Sequence, residues 1–224
     1  MKKARRILVF APHGDDELIG CGGTLACFVE AGAEVRVVVV FDGAAGDPEG
    51  RFAAEGYVAQ REAEARRGGA HLGLRDYEFW RLPEGHTLAD GQLEEYIPLV
   101  EQAAEEFKPD LVLVAWPGEA HPDHAGLARV IELWSKRARP SCEIWGYEVW
   151  SALAPDLLID VAATWPLKLA ALREHRTQSA YGDLAAWSKQ NAFRRGALPV
   201  EAFMRLGEGA QGGLQENTHT QSIR

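Results

Sequence analysis

Three runs of apolar residues limit what this chain can fold into. Residues 5–10, 35–41 and 111–116 are short, rich in Val, Ile, Leu and Phe, and barely interrupted by polar side chains. A strand with one wet face alternates, whereas a continuous run is covered on both faces, as in a parallel sheet buried between helices. The intervening segments have helical character. Residues 53–72 are rich in Ala, Glu and Arg, residues 88–107 space Leu93, Ile97 and Val100 helically around Pro98, and residues 124–137 place Leu127, Ile131 and Trp134 at i, i+4 and i+7. Gly20, Gly22 and Gly23 permit close packing after the first strand, and residues 24–31 continue as a helix ending at Gly32.

Further strands are expected at residues 77–82, 143–149 and 157–161, and further helices at 166–175 and 181–195. With no internal repeat and no interdomain linker, the β-α alternation predicts a single-domain, three-layer α/β fold with a mostly parallel sheet over residues 1–206. The tail, 207–224, is rich in Gly, Gln, Thr and Ser, carries almost nothing to bury, and is expected to be flexible.

A formal net charge of −9 on 224 residues offers no electrostatic footprint for nucleic acid or an anionic membrane. Cys21, Cys27 and Cys142 are odd in number and lack a Cys-x-x-Cys spacing, which argues against a disulfide framework or a thiolate zinc site and fits reduced cytoplasmic thiols. The basic residues before the first apolar run superficially resemble a signal peptide, but that run has only strand length and Pro12 and His13 follow at once. A soluble, cytoplasmic protein is expected, with homo-oligomerisation left open. Nucleotide binding finds no support, since Gly20-Cys21-Gly22-Gly23 lacks the G-x-G-x-x-G pattern and His13 with two acids would repel a pyrophosphate.

Two polar clusters follow apolar strands. Residues 5–10 run into Ala11-Pro12-His13-Gly14-Asp15-Asp16-Glu17, and residues 111–116 lead to His121-Pro122-Asp123-His124. The carboxyl ends of parallel strands form the ligand crevice of such folds, so both clusters belong on one edge. A catalytic zinc takes three protein ligands from His and Asp or Glu, and His13, Asp16 and His124 supply that set. The same nitrogen and oxygen donors suit other divalent transition metals. Asp15 is the candidate general base. His121, protonated, is placed to stabilise an oxyanion or to give a proton to a leaving amine, with Asp123 orienting it. Glu17 is expected to cap or orient the following helix.

Around these clusters, Asp42 and Asp47 sit on a loop at the same edge, where Asp42 is a candidate substrate contact. Trp116, on the His121 loop, is a candidate platform for an apolar sugar face, although tryptophans more often fill cores. Arg61 and Glu64 are three apart on a helix and could equally form a solvent-facing ion pair. His71, His86, His175 and His219 lie outside both clusters and are assigned no role.

His13-Gly14-Asp15-Asp16-Glu17, Arg61 with Glu64, His121-Pro122-Asp123-His124, and Lys168 through Gln178-Ser179 together resemble the PIG-L/LmbE family of zinc-dependent de-N-acetylases. The resemblance implies a Rossmann-like, LmbE-like fold and an amidohydrolase that removes the acetyl group of an N-acetylglucosamine-type sugar or conjugate, releasing acetate and a free amine. It implies one zinc per chain on His13, Asp16 and His124, Asp15 as base, and His121 assisting the transition state with Asp123 behind it. Arg61 resembles a family arginine near the acetyl or sugar site. The chain departs from the usual Ala-His-Pro-Asp-Asp-Glu motif by having Pro12 before His13 and Gly14 after it. Glu119 stands where some members carry a tyrosine proposed to aid catalysis. Two rival readings are a metal-dependent hydrolase of another ester or amide, such as a two-metal phosphoesterase, and a non-catalytic sugar or small-molecule binding protein on the same fold.

Overall fold

The computed structural model describes residues 4–84, 90–207 and 219–221. The first half alternates strand and helix: β1 (Arg6–Ala11), α1 (Asp16–Glu30), β2 (Glu34–Phe41), α2 (Tyr57–His71), β3 (Asp76–Leu82), α3 (Asp90–Phe107), β4 (Leu111–Ala115) and α4 (Pro122–Ala138). After β5 (Glu143–Tyr147) and β6 (Leu157–Asp160) come α5 (Trp165–Leu172), α6 (Arg176–Ser179), α7 (Leu184–Phe193), β7 (Val200–Leu206) and β8 (His219–Gln221). Among the described residues these strands form one sheet in the order β3-β2-β1-β4-β5-β7-β6-β8. The pairs from β3 to β5 are all parallel, β7 runs antiparallel to both β5 and β6, and β8 pairs parallel with β6. The result is the expected three-layer α/β fold.

The continuous apolar runs are explained by two cores. Along β1, Ile7, Val9 and Ala11 face one core, shared with α1, while Leu8 and Phe10 face the other, shared with α3 and α4. The central strand β4 divides in the same way, with Leu111, Leu113 and Ala115 on one side and Val112 and Val114 on the other. Period-two side-chain alternation therefore buries all of β4 and all of β1 after Arg6. The connection switches direction between β1 and β4, which creates a crevice at their carboxyl ends.

Helix α1 begins at Asp16, at the end of the first motif, and runs through Gly20, Gly22 and Gly23. Close packing explains this: a Cβ on Gly20 would lie 2.3 Å from Tyr147 Cδ2 and 2.9 Å from the Glu148 carbonyl oxygen. The absence of that atom lets α1 lie directly against β5. The single helix expected at 166–175 ends at Leu172, and α6 follows as a separate turn. Strand β7 was not anticipated. Of the tail, 208–218 and 222–224 fall outside the described residues, and His219–Gln221 extends the sheet beside β6. No helix among the described residues is long and apolar enough to cross a membrane.

Candidate active site

The two motifs meet across the β1/β4 switch point. The chain leaves β1 through Pro12 and His13 and enters α1, whose first turn carries Asp16. The Asp16 carboxylate folds this loop onto itself by accepting the His13 backbone N–H at 2.9 Å. On the other side His121 is the N-cap of α4, its Nδ1 accepting the Asp123 backbone N–H at 3.3 Å, and Pro122 opens the helix where a missing N–H costs nothing. His124 thereby enters the first turn fully buried and aimed at α1. Asp16 Oδ2 lies 3.3 Å from His13 Nδ1 and 3.1 Å from His124 Nε2.

Burial alone would raise the Asp16 pKa, but the imidazoles of His124 and His13 hold it far below the usual carboxylate range. Burial pulls His13 down, yet its contacts with Asp123, Asp16 and Glu84 outweigh this and raise it well above an ordinary imidazole. Acids thus outnumber bases among largely buried side chains, an environment that favours a bound cation. Donors about 2.1 Å from a tetrahedral ion stand roughly 3.4 Å apart, close to the separations of 3.3 and 3.1 Å around Asp16 Oδ2. Both ring nitrogens of His124 are buried without a well-formed hydrogen bond, as expected of a ligand. His13, Asp16 and His124 therefore form a group that fits a metal ion, and His13, His121 and Asp123 form a second group of similar spread.

Asp15 stands beside this group with its Oδ2 3.6 Å from Arg61 Nη2. Arg61 projects from α2 and is anchored by donating from Nη1 to the Gly43 carbonyl at 2.9 Å. His121 is the most open member. Burial lowers its pKa, as do the charges of His124 and His13. Asp123 lies nearer His13 Nε2, at 3.3 Å, than His121 Nδ1, at 3.8 Å. Because His121 Nδ1 accepts the Asp123 backbone N–H, the ring's donor is Nε2. The six motif residues and Arg61 line one cavity of about 260 Å³.

The family model PIG-L, described as GlcNAc-PI de-N-acetylase, matches residues 8–134, more than half of the chain. The chain belongs to the PIG-L family. It is 28% identical over 198 residues to the diacetylchitobiose deacetylase of Thermococcus kodakarensis, covering 78% of this chain and 70% of that one. It is 29% identical over 195 residues to a Bacillus anthracis protein described as "Probable N-acetyl-alpha-D-glucosaminyl L-malate deacetylase 2", covering 80% and 84%. Among solved structures, N,N'-diacetylchitobiose deacetylase from Pyrococcus horikoshii superposes with a TM-score of 0.75 at 23% identity, covering 92% of this chain and 85% of that one. This last likeness bears on the fold alone.

In this PIG-L chain several sequence candidates lie away from the cavity. Asp42 turns back to accept the Ala44 N–H at 3.0 Å. Glu64 is buried between helices, where it accepts from Thr177 Oγ1 at 2.6 Å and from the Thr177 N–H, so it ties α2 to α6 and is not paired with Arg61 at the surface. Trp116 donates from Nε1 to the Ser151 carbonyl at 2.8 Å. Glu17 does not cap α1. It is fully buried, accepts from Tyr77 Oη at 2.9 Å, and burial pushes its pKa up to about 8. Glu119 also points inward, accepting the N–H groups of Val149, Trp150 and Ser151 at 2.8 to 3.1 Å. Its Oε2 is 4.0 Å from His124 Nδ1.

Five lining residues, Ala45, Gly46, Glu84, Trp150 and Gln178, were not among the site residues expected from the sequence. Glu84 follows β3, and its Oε2 reaches to 3.0 Å from His13 Nε2. Burial works to raise its pKa, but the His13 contact and the Ala45 N–H lower it further than burial raises it. Gln178 donates from Nε2 to the Gly46 carbonyl at 3.1 Å and to Tyr57 Oη at 3.0 Å, which fixes the loop after β2. Position just past a strand's carboxyl end was the available signal for Glu84 and Trp150.

Proposed function

We propose that this PIG-L protein is a zinc-dependent N-deacetylase, releasing acetate from an N-acetylglucosamine-type sugar or conjugate. The observation that carries this reading is the Asp16 carboxylate shared by His13 and His124, with the Asp15 carboxylate beside it in the same cavity. Two relatives bear names that specify deacetylation of N-acetylglucosamine compounds, which supports the substrate class.

His13, Asp16 and His124 would hold the ion. When bound, zinc supplies Lewis acidity toward an acetamide carbonyl and lowers the pKa of water to about 7. Asp15, steadied by Arg61, accepts the proton that water loses as its oxygen bonds to the amide carbon. His121 presents Nε2–H to the former carbonyl oxygen as that atom gains charge. Asp15 then returns the proton to nitrogen while the C–N bond breaks, so one water and one amide become acetate and an amine. We also place the protein in the cytoplasm, a reading supported by three unpaired cysteines, Cys21, Cys27 and Cys142.

The test is a product screen with the zinc-reconstituted protein over N-acetylglucosamine, N,N'-diacetylchitobiose, an O-acetylated sugar and a phosphomonoester. Acetate from the N-acetyl sugars is expected. Phosphate release with two ions per chain would replace this reading with the two-metal hydrolase.

A further inference from the structure

Trp150 stands on the connection between β5 and β6, a place where backbone is ordinarily mobile. Here residues 149–151 are held from several directions. The buried Glu119 carboxylate takes all three N–H groups, with Trp150 bonded to both oxygens at 3.1 and 3.0 Å. The Val149 carbonyl accepts from Asn191 Nδ2 at 2.7 Å and Trp187 Nε1 at 3.0 Å. Ser151 accepts from Trp116 Nε1 at its carbonyl and from the Ala120 N–H at its hydroxyl, at 2.8 and 2.9 Å. The Trp150 ring is braced by Trp187, with centroids 5.3 Å apart and planes tilted by 46°.

This fastening surrounds the only tryptophan that lines the metal-ligand cavity among the described residues. Its other walls are imidazoles, carboxylates, Arg61, Gln178 and the small Ala45 and Gly46. A pyranose has a matching division: a C–H face that sheds water and a ring of hydroxyls that needs polar partners. A rigid indole costs little entropy to engage such a face, because its position is set before the ligand arrives.

We infer that Trp150 is a specificity-determining residue that stacks on the pyranose ring of the substrate and selects a cyclic amino sugar over an acyclic acetamide. This inference rests on the N-deacetylase reading for the bond cleaved and on the cavity wall for the ring recognised.

Zinc-loaded wild type, Trp150→Ala and Trp150→Phe are compared on N,N'-diacetylchitobiose and on N-acetylethanolamine, and glucosamine binding to each is measured by calorimetry. Trp150→Ala is expected to raise KM for the sugar about tenfold with kcat within a factor of about two, and to weaken glucosamine binding equally. Trp150→Phe recovers most of the loss, and N-acetylethanolamine is turned over equally by all three proteins. An unchanged sugar KM, or equal losses on both substrates, overturns the inference. If the wild type releases no acetate from either compound, the deacetylase reading fails separately. Calorimetry then decides the platform: it is overturned if glucosamine does not bind the wild type or binds Trp150→Ala with the same affinity.

Discussion

Asp15 and Asp16 are neighbours with the same side chain, and the start of α1 gives them different surroundings. Asp16 is sealed between two imidazoles, whereas Asp15 meets a guanidinium at 3.6 Å and lines the cavity beside them. Asp15→Asn is therefore expected to lower kcat by about 100-fold or more while bound zinc stays at the wild-type level, as read by steady-state kinetics and metal analysis. Loss of zinc in that variant would make Asp15 a ligand instead of the base. The spacing of the two motifs was enough to foresee that six residues would share a cavity. Glu84 and Trp150 carried no comparable pattern, since each is a single residue beyond a strand whose direction depends on loops. Asp42 was legible as a loop residue, but its turn toward Ala44 is a local hydrogen bond that spacing does not encode.

Two buried groups fasten α1 to its neighbours. Glu17 bonds to Tyr77 on β3, and burial holds its pKa at about 8 against 4.5 ordinarily. Between those values the folded chain keeps a proton that the unfolded chain has released. The Glu17 contribution to stability is therefore full below pH 4.5 and falls as pH rises toward 8, by up to about 1.4 kcal/mol per pH unit. Glu17→Gln keeps an acceptor for Tyr77 without the titration, so denaturant unfolding between pH 5 and 8 should show a shallower decline than wild type. An identical slope would contradict this.

Further along α1, Lys168 of α5 pairs with Glu201 of β7 at 2.5 Å and donates to the Ile19 carbonyl at 2.7 Å. Glu201 also accepts the N–H groups of Gly23 and Thr24. Lys168→Met leaves Glu201 as an uncompensated buried charge and is expected to cost about 3–5 kcal/mol in denaturant unfolding, with part recovered by adding Glu201→Gln. A cost below about 1 kcal/mol would show that the pair is dispensable. This pair also explains why β7 was missed. Glu201, the second residue of β7, interrupts its apolar pattern, and the partners on α1 and α5 that explain a buried acid there are not encoded locally. The central strands were legible because burial on both faces leaves an unbroken apolar run, whereas the reason for the glycines of α1 was not, because they answer to Tyr147 and Val161 across the core.

At the scale of the whole molecule, the strand order β2-β1-β4-β5 brings distant motifs together. Reversal between β1 and β4 opens the crevice, and each strand delivers one motif to it from its carboxyl end. The central claim is that this crevice holds one catalytic ion on His13, Asp16 and His124. The most direct test is to strip the protein with a chelator and follow acetate release from N,N'-diacetylchitobiose as zinc is added back. Activity should be absent at the start, rise linearly, and level off at one zinc per chain, while His124→Ala stays flat across the titration. Full activity in the stripped protein, or a wild-type response from His124→Ala, would contradict the account.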